Sequence, residues 1–294
     1  MLRLRQVLTA TDAEKNLEYY DWEVQSLSEG GNVFEYRHPT TKQLKVVKQA
    51  RRAESDTHCV RALENEVKFY ELIKSKKFTS SLILQFHKAE HDSRGLHLHL
   101  QSMEQGSIKD RIERVDGIGI EQIRHYTRIV ASALAYLHDR QIIWNGCSAD
   151  HVLLDSEGNP KISGFGLFRR RNREGKVAQL EPEEVHRRLR WMAPEAAKEY
   201  ICGRRTDVWA FGCFVVEMVT REDPHFDCET GTQVAQKLER LIDPRPPIQK
   251  QDDTLCSSDL LTFLNSVFVT NSSGRLPVRD LIRKSPFLST GSGQ

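Results

Sequence analysis

No run of apolar residues in the 294-residue chain approaches the roughly 20 that a membrane-spanning helix needs. The opening stretch, MLRLRQVLTATDAEKN, lacks the apolar centre of a secretory leader. Cysteine is sparse: Cys59, Cys147, Cys202, Cys213, Cys228 and Cys256 are scattered, with no Cys-x-x-Cys spacing. A disulfide framework needs a small, secreted, cysteine-dense chain, so free thiols in a reducing compartment are expected. Charge of one sign is lacking too, because 43 Lys and Arg face 41 Asp and Glu, a formal net charge of +2. That removes any global electrostatic case for nucleic acid. Internal repeats are absent. These absences predict a cytoplasmic globular protein with no membrane and no nucleic-acid partner. At 38 % hydrophobic and 29 % charged, the composition supplies a sizeable core.

His97 and His99 alternate with leucines in LHLHL, which puts both rings on one face of a strand. No third ligand stands nearby, so a solvated strand face is expected and no metal site.

Two textures follow each other along the chain. Residues 22–49 read as strands, with a hairpin around HPTTK. Residues 57–77 place Val60, Leu63, Val67, Tyr70 and Leu72 near helical spacing, and SLILQFHKAE and GLHLHLQSM are two further strand-like runs. After MEQGS the pattern turns helical. IEQIRHYTRIVASALAYLHD is amphipathic, and DVWAFGCFVVEMVT is apolar enough to be a buried helix. Between them lie the short strands HVLLD and PKISGF around the turn SEGN. The expectation is an α+β chain: an extension over 1–20, a strand-rich front lobe over 21–103, a helical rear lobe over 104–288 and a flexible tail over 289–294. Its abrupt start permits a piece of a longer protein.

Five motifs in order resemble the protein kinase family: KVVK ending at Lys48, Glu66 on the following helix, RWMAPE (190–195), DVWAFG (207–212) and GRLPVRDLI (274–282). GSIKDRI, YLH and RWMAPE look most like the MAP kinase kinase kinase branch. The resemblance implies a bilobal fold, with an antiparallel sheet and one regulatory helix in the front lobe and a mainly α-helical rear lobe. It also implies structural ion pairs at Lys48–Glu66 and Glu195–Arg275. Asp207 would hold the loop Trp144–Gly146 through backbone N–H groups. An aromatic stack of Phe86, Tyr70, Phe165 and Trp144 would lock the lobes together.

The catalytic positions depart from the family pattern. Where the family reads H-R-D-x-K-x-x-N, this chain reads Trp144-Asn145-Gly146-Cys147-Ser148-Ala149-Asp150-His151. Gly146 replaces the base, Ser148 the lysine that neutralises the γ-phosphate, and His151 the magnesium-binding Asn. Gly164-Phe165-Gly166 stands for D-F-G, removing the second metal carboxylate. Of the three loop glycines, the resemblance leaves Ser26, Ser28 and Gly31, and Val46 replaces the alanine over the adenine. The residues left to line a nucleotide cleft would be Lys48, Gly31, Val33, Val46 and Leu153. With no magnesium ligands and ATP binding weak or absent, no cofactor is expected.

The segment 167–192, LFRRRNREGKVAQLEPEEVHRRLRWM, contains no Ser, Thr or Tyr, which excludes a phosphate switch there. Its eight Lys and Arg against four Glu make a solvated basic loop with local Arg–Glu pairs, or a dock for an acidic partner at RRRNR (169–173). The expected function is a pseudokinase that is not an enzyme, acting as a scaffold or allosteric partner of an active kinase. Two alternatives stay open: a metal-independent ATP-binding switch using Lys48, and an unorthodox transferase using Asp150 or Asp155.

Overall fold

The computed structural model describes residues 23–27, 33–37, 44–51, 57–93, 95–114, 117–170, 178–225, 227–240 and 257–289. They fall into two compact units, one up to Glu104 and one from Gln105.

The first unit is a five-stranded antiparallel sheet with one helix. Its strands are β1 (Glu23–Leu27), β2 (Val33–Arg37), β3 (Leu44–Arg51), β4 (Phe86–His91) and β5 (Gly95–Leu100), in the order β1-β2-β3-β5-β4. The β-branched and aromatic residues of VFEYR and LKVVKQAR suit a pleated, half-buried surface. Register sets Val33 opposite Lys48 and Glu35 opposite Val46, and Lys48 opposite Leu98. Helix α1 (Thr57–Ser75) packs on β3 and β5. It buries Leu63, Glu66, Phe69 and Tyr70, spaced three or four residues apart on one face. The strand expected from SLILQFHKAE begins only at Phe86, because Ile83 and Leu84 are buried in the preceding turn.

His97 and His99 correct the expectation of a solvated face. They are 3 % and 4 % exposed, on β5 between β3 and β4. Carboxylates flanking the strand partner each ring: His97 Nε2 lies 3.0 Å from Asp92 Oδ1, and His99 Nε2 lies 2.7 Å from Glu90 Oε1. A buried polar ring needs such a partner.

The second unit is mainly helical. It runs β6 (Gly106–Ser107), α2 (Ile108–Arg114), α3 (Ile120–Asp139), β7 (Ile142–Ile143), β8 (Val152–Leu154), β9 (Pro160–Ile162), β10 (Arg169–Arg170) and β11 (Ala178–Gln179). Then follow α4 (Pro182–Arg188), α5 (Pro194–Glu199), β12 (Ile201–Cys202), α6 (Arg204–Thr220), α7 (Gly231–Arg240), α8 (Ser258–Val267) and α9 (Val278–Lys284). Every residue of α6 from Thr206 to Val219 is buried, as its all-round apolarity demands. The amphipathic α3 packs between α6 and α9 and buries Ile123, Tyr126, Val130, Leu134 and Leu137. Cys59, Cys147, Cys202, Cys213 and Cys228 are free thiols; Cys256 lies outside the described residues. Among the described residues, no helix is long and apolar enough to cross a membrane.

Candidate functional site

In the first unit, Lys48 on β3 donates through Nζ to Glu66 Oε2 at 2.7 Å. The glutamate side chain is 2 % exposed and the lysine 27 %, so the carboxylate is buried while the lysine side chain keeps a solvated side. One turn along α1, Tyr70 stacks on Phe86 with ring centroids 5.3 Å apart and planes 13° from parallel. Burial, with Glu66 adding to it, pushes the Tyr70 phenol well above its usual range. Val33 and Val46 lie on neighbouring strands and are half-buried. Gly31 and Ser28 lie outside the described residues, and Ser26 is placed only as a position on β1.

In the second unit, the loop 144–151 hangs from α6. Asp207, 1 % exposed, accepts the Trp144 N–H through Oδ2 at 2.9 Å and the Asn145 N–H through Oδ1 at 2.8 Å. His138 Nε2, from the end of α3, lies 2.8 Å from the same Oδ2. The anchoring therefore reaches Trp144 and Asn145, with His138 as a third arm that the sequence reading did not identify. Asn145 takes φ +50°, a conformation that Asn adopts more readily than most residues.

The volume around Gly146 and Gly164 is filled by side chains. A Cβ at Gly146 would come within 2.6 Å of Trp144 Nε1 and 2.7 Å of the Gly164 carbonyl. The Trp144 indole is fully buried, donates from Nε1 to the Ser163 carbonyl at 2.9 Å, and leans on Phe165 with centroids 6.1 Å apart. Gly164 has φ +69°, and a Cβ there would meet the His151 ring, 2.5 Å from Cγ and 2.7 Å from Nε2. His151 Nδ1 lies 2.7 Å from the Gly146 carbonyl. A carbonyl only accepts, so Nδ1 carries the proton. Ser148 Oγ is 3.3 Å from the same nitrogen. The His151 carbonyl accepts from the Ser163 N–H at 2.8 Å and from Ser163 Oγ at 3.0 Å. Trp144 and His151 thus tie the loop to segment 163–166 in the space where the family pattern would set two carboxylates.

The surviving acids have structural surroundings. Asp155 Oδ1 accepts the N–H groups of Glu157 at 3.0 Å and Asn159 at 2.8 Å, a side-chain-closed turn. Asp150 is exposed on a short helical turn, and Leu153 is half-buried on β8. The Phe86–Tyr70 stack belongs to the first unit and the Trp144–Phe165 contact to the second.

Arg275 is completely buried and paired with Glu195: Nη1 donates to Oε1 at 2.7 Å and Nη2 to Oε2 at 3.1 Å. Arg169, Arg188 and Arg190 of the basic segment are engaged within the chain. Arg169 makes a two-pronged contact with Glu184 at 2.7 and 2.6 Å, and Arg190 donates to the carbonyls of His225 at 2.7 Å and Cys228 at 2.8 Å. Arg170 is exposed on β10, and residues 171–173 of RRRNR lie outside the described residues.

Glu217 on α6 was not foreseen. It is 1 % exposed, and its Oε2 accepts the Ala149 N–H at 3.0 Å. Burial outweighs that bond and pushes its carboxyl up to about 8. A folded pKa above the unfolded value means that this group's stabilisation is complete below about 4.5 and is lost as pH rises through about 8. Melting curves should show a fall in stability over that window that Glu217→Gln flattens. Identical slopes in both proteins would mean that the carboxyl ionises in the fold at no cost.

The model of the protein kinase domain matches residues 27–288. The chain is 26 % identical over 271 residues to mitogen-activated protein kinase kinase kinase MST11 of Pyricularia oryzae, covering 88 % of this chain and 28 % of that protein. It is 28 % identical over 264 residues to mitogen-activated protein kinase kinase kinase 1a of Physcomitrium patens, covering 88 % and 32 %. To serine/threonine-protein kinase PAK 5 of Rattus norvegicus it is 31 % identical over 194 residues, covering 64 % and 25 %. The chain thus spans about a quarter to a third of the length of these relatives.

These findings overturn the expectation that the chain is not an enzyme. The matched family is one of kinases and the relatives carry kinase names. Replaced residues at 146, 148, 151 and 164 state which groups phosphoryl transfer cannot use here, which is a narrower statement than the absence of activity.

Proposed function

Because the chain belongs to the protein kinase family, related to its MAP kinase kinase kinase branch, we propose that it works in kinase signalling through protein–protein contacts, as a scaffold or allosteric partner of another kinase. The observation that carries this reading is the division between framework and site. The framework groups of the family are engaged: Lys48 with Glu66, Arg275 with Glu195, and Asp207 with the loop backbone. The positions around Gly146 and Gly164 are packed with an indole and an imidazole. Any phosphoryl transfer by this chain runs without a carboxylate at either position. The test is to add the purified chain to candidate active kinases and follow their initial rates. A saturable change in rate supports the reading; rates indifferent to the chain across the MAP kinase kinase kinases and their substrates overturn it.

A second reading, metal-independent nucleotide binding, draws support from the solvated side of Lys48 beside a buried Glu66. Here ATP is expected to raise the melting temperature saturably, equally with Mg²⁺ or with chelator, and Lys48→Ala is expected to abolish the rise. A shift that requires Mg²⁺ contradicts this reading, as does one retained in Lys48→Ala.

A further inference from the structure

We infer that the Arg169–Glu184 pair is a permanent charge clasp, which holds segment 178–190 in one arrangement that phosphorylation within the segment can neither set nor release. Its use rests on the protein-contact reading above: the segment is offered to a partner at all times rather than on a signal. A phosphorylated loop gains its order when an added phosphate meets an arginine. Segment 167–192 has no Ser, Thr or Tyr to carry one, and a glutamate of the chain itself supplies the anion.

The pair joins residues 15 positions apart in the chain. Arg169 lies on β10, whose partner β7 leads directly into the loop at Trp144. Glu184 lies in the first turn of α4. Both ends are fixed by other bonds. Arg169 Nη1 donates to the carbonyls of Leu167 at 3.2 Å and Phe168 at 3.1 Å, and Glu184 Oε2 accepts the Glu181 N–H at 2.9 Å. Two preset side chains lose little conformational freedom on pairing, and that loss is what leaves most surface pairs worth little. The side chains are also shielded, at 22 % and 14 % exposed, so salt screens them less than a surface pair.

The described remainder of the segment is laid down around this pair. Both of its charges act on the buried Cys202 thiol of β12, which sets the pair close to that strand. β11 in turn pairs with β12, and the Leu180 N–H donates to the Tyr200 carbonyl at 2.7 Å. Farther on, Arg188 Nη2 donates to the Cys147 carbonyl at 3.1 Å, so the segment meets the loop 144–151 again beyond α4. A solvated basic loop would leave Arg169 and Arg188 to water; here they serve carboxylate and carbonyl oxygens of the chain.

Amide hydrogen exchange of the full chain tests the clasp, read in peptides covering 178–190. Glu184→Gln keeps an oxygen for the Glu181 N–H and removes the charge. Exchange there should rise about tenfold, while peptides covering α8 stay unchanged. Arg169→Gln should exchange at least as fast. The double variant R169Q/E184Q should be no faster than R169Q, because its second change removes a partner already lost. If Glu184→Gln does not fold, Arg169→Lys, which keeps the charge but not the planar fork, should speed exchange about threefold. Unchanged exchange in the single variants, additive effects in the double variant, or equal acceleration in α8 overturns the clasp. Unchanged exchange in a chain that does alter the rate of a purified kinase overturns the clasp and leaves the allosteric reading standing. Faster exchange in the variants of a chain that alters no kinase rate supports the clasp and removes that reading.

Discussion

Gly164→Asp should lower the melting temperature by roughly 4–20 °C, and adding His151→Asn should recover about half of that loss. The residue sits at φ +69°, and any Cβ there lands 2.4 Å from the nearest His151 ring atom. Two costs add. A non-glycine residue in the left-handed region costs about 1–2 kcal/mol, and forcing atoms into a filled space costs about 1–3 kcal/mol more. For a chain of this size each kcal/mol moves the midpoint by about 2–4 °C. His151→Asn removes the ring but not the backbone strain, so the double variant should remain about 1–2 kcal/mol below the native chain. Additive losses in the double variant would mean that His151 yields to the new side chain, and that its contact with the Gly146 carbonyl does not fix the ring.

Arg275→Met should be the most damaging single substitution in the second unit, costing about 3–5 kcal/mol in urea unfolding. The guanidinium is fully buried and serves three acceptors at once. Besides Glu195 it donates to the Arg205 carbonyl at 2.6 Å and to the Val269 carbonyl at 3.1 and 2.8 Å. It also lies 5.1 Å from the centre of the Trp209 ring, where a cation is attracted by the π face. Methionine fills much of the volume but leaves a carboxylate and two carbonyls without that donor. Glu195→Gln removes the charge and turns one of the two accepting oxygens into a donor, but it leaves the Arg205 and Val269 carbonyls served, so it should cost less. Equal losses for the two variants would show that charge pairing rather than donor supply governs the site.

The fold was legible in the sequence because its signals were strong and local. The apolar face of α3 and the unbroken apolarity of α6 each admit one placement. The motifs around Lys48, Glu195, Asp207 and Arg275 occur in an order that singles out one family. The strand face at His97 and His99 was misread because alternation reveals which residues share a face, not whether another element covers it. The part played by His138 was also hidden, since only the fold brings it to Asp207, 69 residues along the chain. Glu217 lay inside an apolar run, where a lone carboxylate could have signalled a buried partner. At the site, the identity of each replacement was readable but its volume was not. The sequence shows glycine at 146 and 164; the coordinates show that Trp144 and His151 have taken the vacated room. Inferring a missing activity from missing residue types went beyond what those types established.

The packing around the two glycines also makes change there a matter of order. A carboxylate entering at 146 meets the Trp144 indole and the Gly164 carbonyl, and one entering at 164 meets the imidazole. Each single step is penalised until the neighbouring ring has gone, and losing a ring first opens a cavity beside an unfilled backbone turn. The four positions behave as a ratchet. Substitutions that each look like a simple restoration are accessible only in pairs, and screens of single variants would miss every combination that the site can accept.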